Sequence, residues 1–282
     1  MRPSRGIVVT SSSEILARNA VTVTGREDAS QTLVFVHGFG TDQRSWRAVV
    51  PAFENDFRIV LLDNVGAGAT PPSAFTQHRY LNLDRYASDL VEVCDALQVR
   101  RATLVGHSAG GMIVLLAAAL RPDIASRLVL VGASPRYLED RGYPGGFTRE
   151  AIQDIYRAVT SNYHEWAERF APLAMSNSDR PQLAEHFAEA LKGIPPDKAL
   201  TVLCSILQSD YRERLPAVRH PTLLVHARED AIVPLAVADY MHRSIPGSEL
   251  QVIGATGHFP HLSAPAEVIA AIRGFTPPVE RR

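Results

Sequence analysis

Short runs of apolar residues recur along the chain, separated by polar segments and by helical patterns. Six runs are apolar at consecutive positions, which is typical of strands buried on both faces of a parallel sheet. They are Thr32–Val36, Arg58–Leu62, Ala102–Val105, Leu128–Val131, Thr222–Val225 and Leu250–Ile253. An earlier segment, Ile15–Gly25, alternates loosely and predicts an outer strand, whereas Met1–Ser13 is polar and predicts a frayed end or an edge strand.

Helical patterns lie between these strands. In Tyr86–Leu97, apolar side chains recur at spacings of three and four residues, and Ala109–Leu120 is an apolar helical stretch directly after a strand. Strand and helix therefore alternate along the chain. This alternation predicts an α/β fold with a mostly parallel central sheet flanked by helices and joined by right-handed crossovers.

The alternation stops between Ser134 and Leu215, where no run predicts a strand. Four helical patterns fill this interval, at about 148–160, 163–174, 180–192 and 196–209. Glycine and proline pairs separate them. We therefore expect a core domain formed by residues 1–133 and 216–282. Residues 134–215 should form a four-helix cap over the C-terminal edge of the sheet, where open α/β sheets bind their ligands.

Composition narrows the class of protein. Of the 282 residues, 46% are hydrophobic and 21% are charged, as in an ordinary globular protein, and the net charge of −1 gives no electrostatic basis for binding nucleic acid or a membrane surface. Apolar runs are too short for a membrane-spanning helix or a secretory signal. Cys94 and Cys204 lie in apolar helical stretches, which indicates buried thiols and no disulfide or metal site. We expect a soluble, cytoplasmic protein, either a monomer or a homodimer.

The strongest chemical signal is the pentapeptide Gly106-His107-Ser108-Ala109-Gly110, which lies between a predicted strand and a predicted helix. In that context G-x-S-x-G is a nucleophile elbow, in which the glycines allow a tight turn. The turn exposes the serine at the N-terminus of the helix, where the helix dipole favours negative charge. Ser108 is therefore the predicted nucleophile.

A serine nucleophile needs a general base, and the base needs an acid that orients it. Asp230 and His258 each follow a predicted strand and come after Ser108 in the chain order Ser, Asp, His. Glu229 is the alternative acid and His261 is the alternative base. We prefer His258 because Gly257 before it suits a tight turn that presents one side chain.

Three further residues near strand ends have predicted roles. Asp63 precedes Ser108, which violates that chain order, and we expect it to cap the following loop. His107 should face the sheet packing or the pocket wall. The oxyanion hole should consist of the backbone N–H groups of Ala109, after the nucleophile, and of Phe39, in the loop after the first buried strand.

These residues resemble those of the α/β-hydrolases, and in particular of RsbQ-type bacterial stress-signalling hydrolases and the related plant karrikin and strigolactone receptors. The resemblance runs from about residue 15 to residue 270. The matching segments are His37–Gln43, Asp63–Gly68, Gly106–Ser108, Ala133–Tyr137, Gly145–Phe147, Ser161–Tyr163, Phe170–Leu173, Gln208–Asp210 and Gly257–Pro265.

The resemblance implies an α/β-hydrolase fold with a V-shaped cap of four helices over an apolar pocket. It implies slow cleavage of a small ester or butenolide-type lactone by the triad Ser108, Asp230 and His258, or a ligand-sensing role through a protein partner. It implies no cofactor and no metal. The expected pocket residues are Phe39, His107, Phe147, Tyr163, Trp166, Phe170, Phe187, Leu207 and Phe259.

The sequence departs from this pattern next to the nucleophile. Ala109 and Gly110 stand where the relatives usually carry a valine and then a small residue. We expect these smaller side chains to widen the pocket floor. We also expect the segment 134–215 to leave one buried cavity above Ser108.

Overall fold

Seven strands form one sheet in residues 11–276, the part of the chain that this computed structural model describes. They are β1 (Thr22–Gly25), β2 (Thr32–Val36), β3 (Arg58–Leu62), β4 (Ala102–His107), β5 (Ala125–Val131), β6 (Thr222–Glu229) and β7 (Glu249–Thr256). Their order across the sheet is β1-β3-β2-β4-β5-β6-β7. β1 is antiparallel to β3, and the other neighbours are parallel.

Ten α-helices accompany the sheet within the same residues. They are α1 (Ser12–Arg18), α2 (Leu83–Ala96), α3 (Ala109–Leu120), α4 (Arg149–Ser161), α5 (Tyr163–Met175), α6 (Pro181–Lys192), α7 (Pro196–Leu207), α8 (Leu235–Ser244), α9 (Pro260–Ser263) and α10 (Pro265–Phe275). Short 3₁₀ turns link several of them.

The sheet is buried on both faces. Along β2, Leu33 and Phe35 pack in the layer that contains α10, whereas Val34 and Val36 pack in the layer that contains α2 and α3. Successive side chains of a strand point to opposite faces, so a strand covered on both sides must be apolar at consecutive positions. This arrangement explains the unbroken apolar runs, and the predicted α/β fold is confirmed.

The observed strands contain the six predicted ones, and four of them are longer. β5 begins three residues earlier than predicted, and β6 continues through Arg228 and Glu229. Both of these side chains are exposed. Because the ends of such strands leave the core, their polar residues do not appear in an apolar run.

The predicted outer strand over Ile15–Gly25 is wrong in its first half. Ser11 caps α1 there, because its side chain accepts from the Glu14 N–H while the Glu14 carboxylate accepts from the Ser11 N–H. This reciprocal pair favours a helix start over a strand. Only Thr22–Gly25 is a strand, and Met1–Thr10 lies outside the described residues.

The chain between β5 and β6 contains α4, α5, α6 and α7, which we call the helical insert (residues 134–215). Two isolated bridges occur there, and none of its described residues forms a strand of the sheet. The four helices lie within two residues of the predicted limits. β3 lies on one side of β2 and β4 on the other, so the strand order reverses at β2. Open α/β sheets bind ligands at such a reversal.

Candidate active site

Ser108 lies at the sharp turn between β4 and α3. Its backbone has φ 53° and ψ −122°, and its N–H donates to the Val131 carbonyl at 2.8 Å. The turn brings Gly106 against the first turn of the helix, where an added Cβ would lie 2.2 Å from the Gly110 carbonyl oxygen. A side chain at position 106 is therefore incompatible with this turn, which is the physical reason for the first glycine of the motif.

Gly110 has a different role from the one expected. A Cβ on this residue would lie 2.5 Å from the Val36 carbonyl oxygen and 2.6 Å from that of His37. Gly110 therefore lets α3 approach β2 and does not widen the pocket floor. Ala109 does line a cavity, which is described below.

Ser108, His258 and Asp230 form a continuous hydrogen-bonded chain. His258 Nδ1 lies 2.8 Å from Asp230 Oδ2, and His258 Nε2 lies 2.8 Å from Ser108 Oγ. A carboxylate only accepts, so Nδ1 carries the proton and Nε2 accepts from the serine hydroxyl. The geometry is that of a nucleophile, a base and an orienting acid.

Asp230 is held as a carboxylate. Its other oxygen, Oδ1, accepts from the N–H groups of Ile232 at 2.8 Å and Val233 at 2.9 Å. Burial raises the pKa of this carboxyl, but the adjacent His258 and these backbone donors outweigh burial, so the net pKa is lowered. A negative charge on Asp230 stabilises the protonated imidazole that forms when His258 accepts a proton.

Gly257 determines how His258 is presented. Its φ is 92°, and an added Cβ would lie 1.9 Å from the Met175 carbonyl oxygen at the end of α5. The next N–H, that of His258, donates to the Ala174 carbonyl at 2.8 Å, and the Asn177 amide donates to the Thr256 carbonyl at 2.9 Å. The histidine loop is thus attached to the helical insert by one backbone hydrogen bond and by one hydrogen bond from the Asn177 side chain.

The alternative acid and base do not reach the serine. The Glu229 side chain is exposed, and its carbonyl accepts from the Gly257 N–H at 2.7 Å. The His261 ring is buried against Trp46, with ring centroids 4.5 Å apart, and neither of its nitrogens has a hydrogen-bond partner in the described chain. Asp63 accepts from the N–H of Ala69, as expected for a residue that caps the following loop.

His107 lies behind His258. Its Nε2 donates to the His258 carbonyl at 2.7 Å, since a carbonyl can only accept. Burial holds the pKa of His107 well below its usual range, so the ring is neutral. His107 does not line the cavity described next, and the expectation that it forms part of the pocket wall is wrong.

Two backbone N–H groups are available for an oxyanion. Those of Phe39 and Ala109 have no hydrogen-bond acceptor within residues 11–276. Gly38 permits the loop after β2 to approach Ser108, because an added Cβ would lie 3.0 Å from Ser108 Cβ and 2.8 Å from His107 Nδ1. This arrangement suits the oxyanion hole predicted from the sequence.

A cavity with apolar walls lies above Ser108, and we call it the main cavity. Its lining residues come from both the core and the helical insert. They are Phe39, Ser108, Tyr137, Phe147, Ile155, Trp166, Phe170, Phe187, Leu203, Ile206, Leu207, Ile232, His258 and Phe259. None of them is an aspartate, glutamate, lysine or arginine. Such a cavity suits a neutral, largely apolar ligand.

Most of the predicted pocket residues line this cavity, and Tyr163 does not. The Tyr163 hydroxyl donates to the Leu191 carbonyl at 2.6 Å, and its ring stacks on Trp166 with centroids 5.7 Å apart. The side chain therefore supports the cavity wall from behind. The apolar lining residues that the sequence did not single out, such as Ile155 and Leu203, follow a helical spacing that is equally typical of core packing.

Tyr137 is the functional candidate that the sequence did not single out. Its buried hydroxyl lies 3.2 Å from Ser108 Oγ. Because the serine hydroxyl donates to His258, Tyr137 donates to the serine oxygen. Burial raises the pKa of Tyr137, which keeps it a neutral donor. Backbone pairing between the segments at Tyr137 and Phe147 brings the ring to the floor, and no motif indicates that pairing.

The backbone conformation of Ser108 should lower the stability of the protein by a measurable amount. A positive φ costs a residue with a Cβ about 1–3 kcal/mol of folding free energy, and glycine avoids this cost. Glycine also loses more conformational freedom on folding, which offsets about 0.5–1 kcal/mol of that advantage. We expect Ser108→Gly to be more stable than Ser108→Ala, with a Tm about 2–4 °C higher in thermal unfolding. Ala109→Gly, at a helical position, should instead lower the Tm. Equal Tm values for the two Ser108 variants would contradict this interpretation.

Residues 11–276 contain neither a candidate metal site nor a membrane-spanning helix. Within residues 11–276, no group of three or more histidine, cysteine, aspartate or glutamate side chains could hold a metal ion. Both cysteines are free thiols; Cys94 is buried as expected, whereas Cys204 is only half-buried. The part of the chain described contains no helix long and apolar enough to cross a membrane.

Comparison with known proteins agrees with the fold. A family model described as alpha/beta hydrolase fold matches residues 31–265. Karrikin insensitive 2 receptor CA of Petunia hybrida is 41% identical over 86% of this chain and 90% of its own. Strigolactone esterase D14 of Arabidopsis thaliana is 38% identical over 93% of this chain and 98% of its own.

A solved structure has the same fold. A hydrolase from Oleispira antarctica superimposes with a TM-score of 0.91 at 29% identity, covering 95% of this chain and 98% of that one. The two plant relatives confirm the resemblance to the karrikin and strigolactone receptor hydrolases that the sequence indicated. This chain belongs to the α/β-hydrolase family, and relatives that cover most of its length include named esterases.

Proposed function

We propose that this chain is a serine hydrolase that cleaves a small, neutral, apolar ester or lactone. The observation that supports this most directly is the hydrogen-bonded chain from Asp230 through His258 to Ser108, which ends at the floor of an apolar cavity. In this proposal those three residues form the catalytic triad, and residues 134–215 form the cap.

The geometry defines how acylation would proceed. His258 Nε2 takes the proton of the Ser108 hydroxyl as Oγ attacks the substrate carbonyl carbon. The carbonyl oxygen becomes an oxyanion and accepts from the N–H groups of Phe39 and Ala109. His258 then gives its proton to the leaving alkoxide, the carbon–oxygen bond breaks, and the acyl group remains on Ser108.

Deacylation repeats the same steps with water. His258 removes a proton from a water molecule, whose oxygen attacks the acyl carbon, and the bond to Ser108 Oγ breaks. Oγ recovers its proton from His258, and the carboxylic acid leaves. Throughout the cycle the Asp230 carboxylate accepts from Nδ1 and stabilises the charged imidazole. For a lactone, the released alcohol and acid are the two ends of one molecule.

The absence of charged side chains from the cavity lining supports a neutral substrate. A carboxylate on the substrate would lose its hydration without meeting a cation, which is costly in a buried site. The lining aromatic rings favour a compact apolar ligand. A long substrate chain in this cavity would have to displace those rings, so short esters and lactones suit it best.

We expect neutral, short substrates to be hydrolysed faster than anionic or long ones. A size-matched pair tests charge: p-nitrophenyl glutarate, with a free carboxylate, against its methyl ester. The methyl ester should have a kcat/KM at least about tenfold higher, because burying an unpaired carboxylate costs more than burying an ester. Acetate and butyrate esters and a simple butenolide should exceed a palmitate ester. A preference for the anionic or the long substrate would contradict the proposal.

A second candidate is a ligand-sensing protein that turns over slowly and signals through a protein partner, as in the RsbQ-type systems. Similarity to a protein named as a karrikin receptor favours it. The Tyr137 hydroxyl also favours it, because a donor on Ser108 Oγ reduces the nucleophilicity of that oxygen. Turnover separates the two functions: an ordinary esterase should reach about 1–1,000 per second, and a receptor should be far slower.

A further inference from the structure

A second cavity adjoins the main one, where a single cavity was expected. It lies on the far side of the loop after β2, and we call it the side chamber. The residues that line it come from that loop, from the loop after β3, and from α2, α3 and the insert. They are His37, Gly38, Phe39, Gly40, Asn64, Val65, Gly66, Ala67, Leu83, Tyr86, Ala109, Ile113, Ile194, Val202 and Ile206.

The side chamber begins next to the nucleophile. Phe39 and Ile206 line both cavities and form the partition between them. Ala109, directly after Ser108, lines the side chamber with a single methyl group. A larger side chain at that position would occupy space beside the two oxyanion-hole donors, so the small residue keeps this space open.

Besides the N–H groups of Phe39 and Ala109, one side-chain group in the lining of the side chamber has no hydrogen-bond partner within residues 11–276. Tyr86 lines it, and the Tyr86 hydroxyl is buried without a hydrogen-bond partner in the described chain. Burial raises the pKa of Tyr86, so the hydroxyl stays neutral and protonated. An unpaired buried hydroxyl is unfavourable, so a ligand atom that accepts from it gains binding energy.

His37 also lines the chamber, and both nitrogens of its ring already have hydrogen-bond partners. His37 Nδ1 donates to the Gly38 carbonyl at 2.8 Å, and His37 Nε2 accepts from the Asn64 N–H at 2.9 Å. Burial lowers the pKa of His37, and no aspartate, glutamate, lysine or arginine lines the chamber. The ligand group that suits this chamber is therefore uncharged.

We propose that the side chamber binds the acyl arm of the substrate, as a short carbon chain that ends in a neutral hydrogen-bond acceptor, a ketone or ether oxygen, bonded to the Tyr86 hydroxyl. This rests on the proposed hydrolase function. The leaving oxygen must reach His258, which lines only the main cavity, whereas Ala109, whose N–H would bind the carbonyl oxygen, lines only the side chamber. The alcohol arm therefore occupies the main cavity, and the acyl arm points into the side chamber.

The test compares pairs of p-nitrophenyl esters in which one member has a ketone oxygen where the other has a methyl group. 4-Oxopentanoate carries a ketone where 4-methylpentanoate carries a branched carbon, and 5-oxohexanoate with 5-methylhexanoate repeats the comparison one carbon further out. The wild-type protein should prefer a ketone ester over its matched partner in kcat/KM. In Tyr86→Phe that preference should fall about tenfold, which is the typical loss for a buried acceptor left unpaired.

Tyr80→Phe is the matched control. The Tyr80 ring packs on Tyr86 with centroids 4.8 Å apart, but Tyr80 does not line the chamber, and its hydroxyl donates to Asp89 at 2.9 Å. This variant should keep the wild-type ketone preference. A second variant, Val202→Phe, narrows the chamber from α7 and should lower kcat/KM for all four longer esters relative to the acetate ester.

Each outcome separates the two proposals. If the wild-type protein does not hydrolyse p-nitrophenyl acetate, which is too short to enter the side chamber, the proposed hydrolase function is wrong. If it hydrolyses acetate but shows no ketone preference, or if Tyr86→Phe retains that preference, the side chamber does not bind the acyl arm. Loss of the preference in Tyr80→Phe as well as in Tyr86→Phe would also overturn the assignment.

Discussion

Ser108→Ala should lower kcat for ester hydrolysis by at least about a thousandfold while the protein remains folded. The variant removes the oxygen that attacks the carbonyl but keeps the cavity and the two N–H groups of the oxyanion hole. Those donors alone leave only a small residual rate over the uncatalysed reaction. Steady-state kinetics with p-nitrophenyl acetate, together with circular dichroism, measures the two properties separately.

Covalent labelling supplies an independent control for that variant. A fluorophosphonate should modify the wild-type protein at Ser108, and peptide mass spectrometry should find no other modified residue. Ser108→Ala should remain unlabelled. Retention of activity in Ser108→Ala, or labelling of a different serine in the wild-type protein, would show that the nucleophile is another residue.

Asp230→Asn should lower kcat by about ten-thousandfold with little change in the fold. The asparagine amide can donate to His258 Nδ1, which moves the imidazole proton to Nε2. A protonated Nε2 faces Ser108 and cannot accept the serine proton, so the general base is lost. The charge that stabilises the imidazolium disappears with the carboxylate. Kinetics with the acetate ester, compared with the wild-type protein, measures the loss.

Glu229→Gln is the matched control for this change, because it makes the same chemical substitution at the adjacent residue. The Glu229 side chain is exposed, and only its backbone carbonyl contacts the histidine loop. Activity should therefore stay within about twofold of the wild-type value, as for surface substitutions remote from the chemistry. A large loss in Glu229→Gln, with activity retained in Asp230→Asn, would reverse the assignment of the acid.

The sequence predicted the sheet, the four inserted helices and the positions of Ser108, Asp230 and His258, because each signal is local. A buried parallel strand must be apolar at consecutive positions, and the elbow needs glycines beside the serine. α1 was missed because a loose alternation over Ile15–Gly25 outweighed the capping pair of Ser11 and Glu14. That pair involves only two residues, and its effect depends on their geometry.

The parts of the site that the sequence did not predict depend on contacts between distant segments. Tyr137 reaches Ser108 because its backbone pairs with the segment at Phe147, and the side chamber exists because loops after β2 and β3 leave space beside α2. An aromatic residue in a loop and an apolar residue on a helix look the same in sequence whether they line a cavity or fill the core. Only their three-dimensional neighbours distinguish the two cases.

The hydrogen bond from the His258 N–H to the Ala174 carbonyl connects the proposed general base to the last turn of α5. If the end of α5 moved outward, it would carry the His258 backbone with it or break this bond, and either change would disturb the distance between Nε2 and Ser108 Oγ. The distance that the proposed chemistry needs is therefore coupled to the position of α5, so a change that displaces the end of this helix should lower hydrolysis even though it touches no residue of the cavity.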